Sequence, residues 1–174
     1  NNNVIIEGNL KRKELFNMSK KIYFDLDGTV YDLYNVENWL EKLRSETEKV
    51  FTEGNFLGNY DNFLSAICQL IGYGYSFGVI SWLPMQASPE YEEVCRKEKI
   101  AWINNFLPFV TEINIVPYGI PKQNAIQKRA KTMYLIDDSD EVCKMWETPA
   151  QRKAININEE FTVIDALNKI IENE

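Results

Sequence analysis

Short β-rich apolar runs alternate with stretches of helical period along most of this 174-residue chain, and that alternation limits the fold more than any other feature. Strands are predicted over residues 21–26, 75–81, 113–116, 133–137 and 154–157. Helices are predicted over 37–51, 61–71, 89–106, 122–131, 140–147 and 161–172. In the first helix Trp39, Leu40, Leu43, Val50 and Phe51 form one stripe, broken afterwards by Gly54 and Gly58. In the second, Phe63, Leu64, Ile67, Cys68 and Ile71 point inward, with Gly72 near the end. Ser88 is the N-cap candidate of the third, and Pro89 fits its first helical position. Trp39, Trp102 and Trp146 are expected in the core. Strand–helix alternation at this spacing predicts an α/β fold: a Rossmann-like three-layer sandwich with a mainly parallel sheet covered on both faces.

Composition removes several chemistries. There is no histidine, which excludes Ser-His-Asp hydrolysis, His-Cys proteolysis and histidine zinc sites. Catalysis must then run on carboxylates, lysine, hydroxyls, thiols or a metal. The net charge of −7 argues against sequence-independent nucleic-acid binding, which depends on neutralising phosphates. Cys68, Cys95 and Cys143 are scattered and odd in number, so a reducing, cytoplasmic setting is expected rather than a disulfide framework. Residues 62–89 carry no charge, but Gln69, Gly72, Gly74, Ser76, Ser81 and Pro84 interrupt them, so no membrane span is expected. Residues 1–18 read as an N-terminal extension. They hold three opening asparagines, Val4-Ile5-Ile6 as an added edge strand, the triplet Lys11-Arg12-Lys13 as a solvated turn, and no signal peptide; Met18 would suit a start codon.

The chemistry gathers at strand ends. Asp25-Leu26-Asp27-Gly28-Thr29 follows the run Ile22-Tyr23-Phe24. Strand side chains repeat every two residues, so Asp25 and Asp27 point the same way. Carboxylates this close repel unless a cation sits between them, and Gly28 allows the tight turn that presents them. An ordinary Asp-Gly turn after a strand is the plain alternative. However, Asp137-Asp138 ends a second apolar run, Ser81 ends a third, and Lys122 opens a helix after a fourth. In an open α/β sheet ligands bind outside the carboxyl ends of the strands. All four signals fall at that edge.

Over about residues 19–157 this order resembles the haloacid dehalogenase-like superfamily of phosphatases. Asp25-Leu26-Asp27-Gly28-Thr29 matches its first motif, Ser81 the second, Lys122 the third, and Leu135-Ile136-Asp137-Asp138-Ser139 the double-aspartate form of the fourth. The resemblance implies Asp25 as a nucleophile that forms an aspartyl-phosphate, and Asp27 as general acid and then base. It implies Ser81 as a hydrogen-bond partner of the phosphoryl group and Lys122 as its neutralising cation. It also implies Mg²⁺ as cofactor, held by Asp25, the Asp27 carbonyl, Asp138 and Asp137, with the order of the last two left open. Phosphoryl transfer asks mainly for positioning and charge neutralisation, which suits these groups.

Only residues 31–74 separate the first two motifs, which leaves room for a small helical cap at about 31–57, or no true cap. Tyr31, Tyr34, Trp82 and Tyr118 sit where they could stack a nucleobase or pack the cap onto the core, and Thr29 is a further substrate-contact candidate. The double aspartate and short cap look most like the 5'-nucleotidase and 5'(3')-deoxyribonucleotidase branch, and like the polynucleotide 3'-phosphatase domain.

The expected activity is Mg²⁺-dependent hydrolysis of a small phosphorylated substrate such as a nucleoside monophosphate; a homo-oligomer is compatible with it. The alternatives are a phosphatase acting on a phosphoprotein or nucleic-acid end, and an inactive module that binds Mg²⁺ and phosphate. A receiver domain is disfavoured, because its phospho-acceptor would lie on a mid-chain strand.

Overall fold

The computed structural model describes residues 19–127, 129–147 and 152–174. The expectations for residues 1–18 lie outside the described residues. Five strands, β1 (Lys20–Phe24), β2 (Tyr75–Trp82), β3 (Glu112–Val116), β4 (Thr132–Asp137) and β5 (Arg152–Asn156), form one sheet in the order β3-β2-β1-β4-β5, every pairing parallel. The helices are α1 (Trp39–Arg44), α2 (Tyr60–Gly72), α3 (Pro89–Phe106), α4 (Asp140–Trp146) and α5 (Val163–Ile171). The fold is α/β, as the alternation predicts.

The strand periodicity sorts side chains between two cores. Ile22, Phe24, Phe77, Val79, Tyr134 and Ile136 face one core, which α2, α3 and α5 complete through residues such as Phe63, Ile67, Trp102, Ile103 and Leu167. Tyr23, Ile80, Met133 and Leu135 face the other, against Val142 and Trp146 of α4. From β1 the chain steps outward to β2 and β3, then returns past β1 to β4 and β5. The direction therefore reverses between β1 and β4, and a crevice opens there at the carboxyl ends of the strands.

Helix ends follow the expected capping chemistry. Ser88 Oγ accepts from Tyr91 N at 3.2 Å, and Pro89 opens α3. Thr162 and Asp165 form a reciprocal capping box on α5. In α2, Phe63, Ala66, Ile67 and Leu70 are buried, whereas Cys68 and Ile71 are exposed, contrary to the sequence reading. The buried stripe sits slightly further round the helix because α2 packs between β2 and α5.

Two predicted helices are largely absent. Residues 37–51 yield only the six-residue α1, followed by turns in which Glu46 and Lys49 take positive φ of 53° and 74°. The cause is tertiary. Glu46 turns its carboxylate onto Ser88 N (2.6 Å) and Oγ (2.8 Å) at the start of α3. Glu98 of α3 accepts from the Lys49 and Phe51 amides, and Tyr91 OH donates to Thr47 O at 2.7 Å. Among the described residues of 122–131 there is only a 3-10 turn, Lys122–Ala125. Gln127 N donates to buried Glu112 Oε1 at 2.9 Å, and Gln127 Nε2 to Asn114 Oδ1 at 2.8 Å. These bonds tie Gln127 to two side chains of β3.

The segment at about 31–57 is closed at its base by Asp32 N to Asn55 O (3.0 Å) and Leu57 N to Val30 O (2.8 Å). Tyr31 is its internal strut. Its hydroxyl donates to Val50 O at 2.5 Å and accepts from Gly54 N at 2.8 Å, and its ring packs edge-on against Trp102. A Cβ at Gly54 would fall 2.5 Å from the Tyr31 ring, so glycine is required there.

Candidate active site

The carboxyl edge of β1 and β4 brings four acids and two lysines together. Asp25 N donates to Ile136 O at 2.9 Å, which extends the β1–β4 ladder one step and fixes Asp25 beside Asp137. Gly28 then takes φ +75°. A Cβ there would sit 2.5 Å from Asp138 Oδ2 and 2.6 Å from the Tyr34 ring, so the turn needs glycine for both conformation and space.

Lys122 is 3% exposed and joins the two strand ends. Its Nζ donates to Asp25 Oδ1 at 2.5 Å and Asp137 Oδ2 at 2.6 Å. Burial alone would lower its pKa, but Asp25 and Asp137 outweigh burial and hold it above the ordinary lysine value. Asp137 uses both oxygens, the second accepting from Ser139 N at 2.9 Å. Asp138 faces outward and accepts from Tyr34 OH at 3.3 Å. One oxygen from each of Asp25, Asp137 and Asp138 lies within 4.8 Å of the others. Burial, then Asp25, pushes Asp137 up to about 6; burial, then Asp25 and Asp137, pushes Asp138 up to about 7. Three hard, mutually repelling oxygen donors fit a divalent cation such as Mg²⁺, whose charge would relieve that repulsion.

Asp27 lies on the other side of Asp25. Its Oδ2 accepts from Lys99 Nζ, and its Oδ1 is buried without a hydrogen-bond partner. Burial is the main cause that raises its pKa; Lys99 pulls the other way and Asp25 adds to the rise. Ser81, fully buried at the end of β2, accepts from the same Lys99 at 2.9 Å. The structure therefore gathers Asp25, Asp27, Ser81, Lys122, Asp137 and Asp138 at one edge.

Lys99 was missed from the sequence. The readable signal was a lysine in register with an apolar stripe: Tyr91, Cys95, Trp102 and Ile103 are buried on α3, and Lys99 falls on their face at 0% exposure. A fully buried lysine requires partners.

A cleft of about 470 Å³ opens above the acids. Tyr34, Trp39, Leu43 and Phe51 line it together with Trp82, Met85 and Tyr118. Tyr34 meets Trp39 edge-on at 5.4 Å, and Trp82 meets Tyr118 at 5.1 Å. Trp82 is fixed by Nε1 donating to Ile120 O at 2.8 Å. Among the described residues Lys122 is the only cation in this lining. Trp39, expected in the core from sequence, is partly buried against the main core and also lines the cleft. Tyr31 and Thr29, offered as substrate contacts, are fully buried and outside the cleft lining; Tyr31 is taken up by the strut described above. A larger open groove is lined only by residues 34–45 and holds none of the clustered acids.

No protein-family model matches the chain, and no curated protein matches it. Among solved structures the chain is similar to D,D-heptose 1,7-bisphosphate phosphatase from Burkholderia thailandensis, at 12% identity and a TM-score of 0.47, over 88% of this chain and 99% of that one. A likeness this distant bears on neither activity nor substrate. Among the described residues no helix is long and apolar enough to cross a membrane.

Proposed function

We propose that the chain is a haloacid dehalogenase-like phosphatase that hydrolyses phosphomonoesters through Asp25, with Mg²⁺ as cofactor. The observation that carries this reading is Lys122 bridging Asp25 and Asp137 inside a group of three carboxylates at the sheet's switch point. In the first step an Asp25 oxygen bonds to phosphorus as the ester P–O bond breaks, and Asp27 gives the leaving oxygen a proton. In the second, Asp27 takes a proton from water, whose oxygen bonds to phosphorus as the Asp25 P–O bond breaks, releasing inorganic phosphate. Lys122 offsets charge on Asp25 and the phosphoryl oxygens, and the Ser81 hydroxyl donates to one of them. Mg²⁺, when bound, supplies charge neutralisation on the phosphoryl group. Asp25, Asp138 and the Asp27 carbonyl would hold it. Asp137, whose oxygens are both engaged, would orient from behind.

The cleft supports a substrate with one phosphate and a flat apolar leaving group, such as a nucleoside monophosphate. Its volume suits a small ligand, its walls are aromatic, and among the described residues that line it Lys122 is the one cation. The test compares kcat/KM for nucleoside monophosphates, short alkyl phosphates and a sugar bisphosphate, in the native chain and in Trp82→Ala. The native chain should prefer the nucleotides, and Trp82→Ala should erase most of that preference by raising KM about ten-fold or more. A preference for the bisphosphate, or one that Trp82→Ala leaves intact, would refute this substrate class.

A further inference from the structure

Among the described residues Lys99 is the one charged side chain at the site that the four motif positions leave unused. Its ammonium has three protons and three acceptors: Asp27 Oδ2, Ser81 Oγ at 2.9 Å and the Trp82 carbonyl at 2.7 Å. The Phe51 ring lies 4.3 Å away and closes over it. With no proton left over and no exposed surface, Lys99 has nothing to offer a phosphate directly. It can act only through the side chains it holds, Asp27 and Ser81.

Those groups are fixed in a specific way. Lys99 holds Asp27 by Oδ2, while Oδ1 is buried without a hydrogen-bond partner, so one contact sets how the carboxyl is turned. Because Ser81 Oγ accepts from Lys99, its own O–H is free to donate elsewhere. The Trp82 carbonyl ties the same ammonium to the backbone that carries the cleft's aromatic wall. From this geometry we infer that Lys99 is a positioning residue: it fixes the orientation of the Asp27 carboxyl for proton transfer and leaves the Ser81 hydroxyl proton to donate to the phosphoryl group. The inference rests on the phosphomonoester reading above. It adds a fifth element, on α3, to a site otherwise built from the sheet edge and the loop at Lys122.

The test uses leaving-group dependence, which a merely structural role would not alter. An ester with a poor leaving group needs the proton from Asp27, whereas p-nitrophenolate departs without it. The quantity read is kcat/KM, which reports transfer to Asp25, across p-nitrophenyl, phenyl and alkyl phosphates. In Lys99→Met it should fall about ten-fold or more further for alkyl phosphates than for p-nitrophenyl phosphate. A second comparison covers the case in which Lys99→Met does not fold. Asp27→Asn with Lys99→Met removes both charges together, and its leaving-group slope should equal that of Asp27→Asn alone. A uniform loss across the esters, no loss, or a steeper slope in the double variant than in Asp27→Asn overturns the positioning role. If the native chain hydrolyses none of the esters, the phosphatase reading fails and this inference fails with it. An active native chain with a uniform loss in the variant overturns the inference alone.

Discussion

Replacing Lys122 with methionine keeps most of the side chain's volume and deletes its charge, so it isolates what that charge does. The ammonium is almost wholly buried between Asp25 and Asp137, which are themselves 7% and 1% exposed. Removing one partner from a buried ionic group costs about 3–5 kcal/mol, because the remaining charges are left uncompensated. For a domain of this size that lowers Tm by roughly 6–20 °C. The carboxyls have an escape, since they can take up protons. Asp137 already sits at about 6 with the lysine beside it, well above an unfolded aspartate, and loses that support in the variant. A carboxyl whose folded pKa exceeds its unfolded value binds more protons in the folded state, so stability falls as pH rises through that interval. Thermal melts in EDTA should therefore show the full deficit of Lys122→Met near pH 7.5 and a smaller one near pH 5.5. A deficit below about 1 kcal/mol at the higher pH, or one that grows on acidification, would refute the reasoning.

The same carboxyls govern the cation. Mg²⁺ must displace a proton from Asp138, so affinity measured by calorimetry should weaken as pH falls through about 7, with proton release on binding; a flat profile would contradict Asp138 as a ligand. Gly28→Ala places a methyl group against Asp138 Oδ2 and Tyr34 at φ +75°. It should cost about 1–2 kcal/mol in urea titrations and weaken Mg²⁺ binding as well, and unchanged affinity would show that Asp138 is not displaced.

The five strands of the sheet were legible from short runs rich in apolar residues set between helical stretches, β5 (Arg152–Asn156) being the most polar; predicted and observed bounds differ by at most two residues. The helix over Pro89–Phe106 was legible to its ends, because Ser88 and Pro89 are local capping signals. The segments 37–51 and 122–131 were misread for one physical reason. Their backbones are held by carboxylates distant in sequence, Glu98 and Glu112, while Glu46 reaches out of the first to Ser88, and helical periodicity carries no trace of such partners. The site divides in the same way. Asp25, Asp27, Ser81, Lys122, Asp137 and Asp138 sit at strand ends or just beyond them, where the sheet's topology brings them together. Lys99 reaches the site sideways from a helix, and Trp39 packs partly against the core while also lining the cleft. Tyr31 looked like a mouth residue from its position, yet its hydroxyl serves the backbone at Val50 and Gly54.

The central claim is hydrolysis through Asp25. It is tested most directly by p-nitrophenyl phosphate turnover with Mg²⁺ and with EDTA, in the native chain and in Asp25→Asn. The account predicts turnover that requires Mg²⁺ and falls roughly a thousand-fold or more in the folded variant. Equal rates in the two proteins would contradict it.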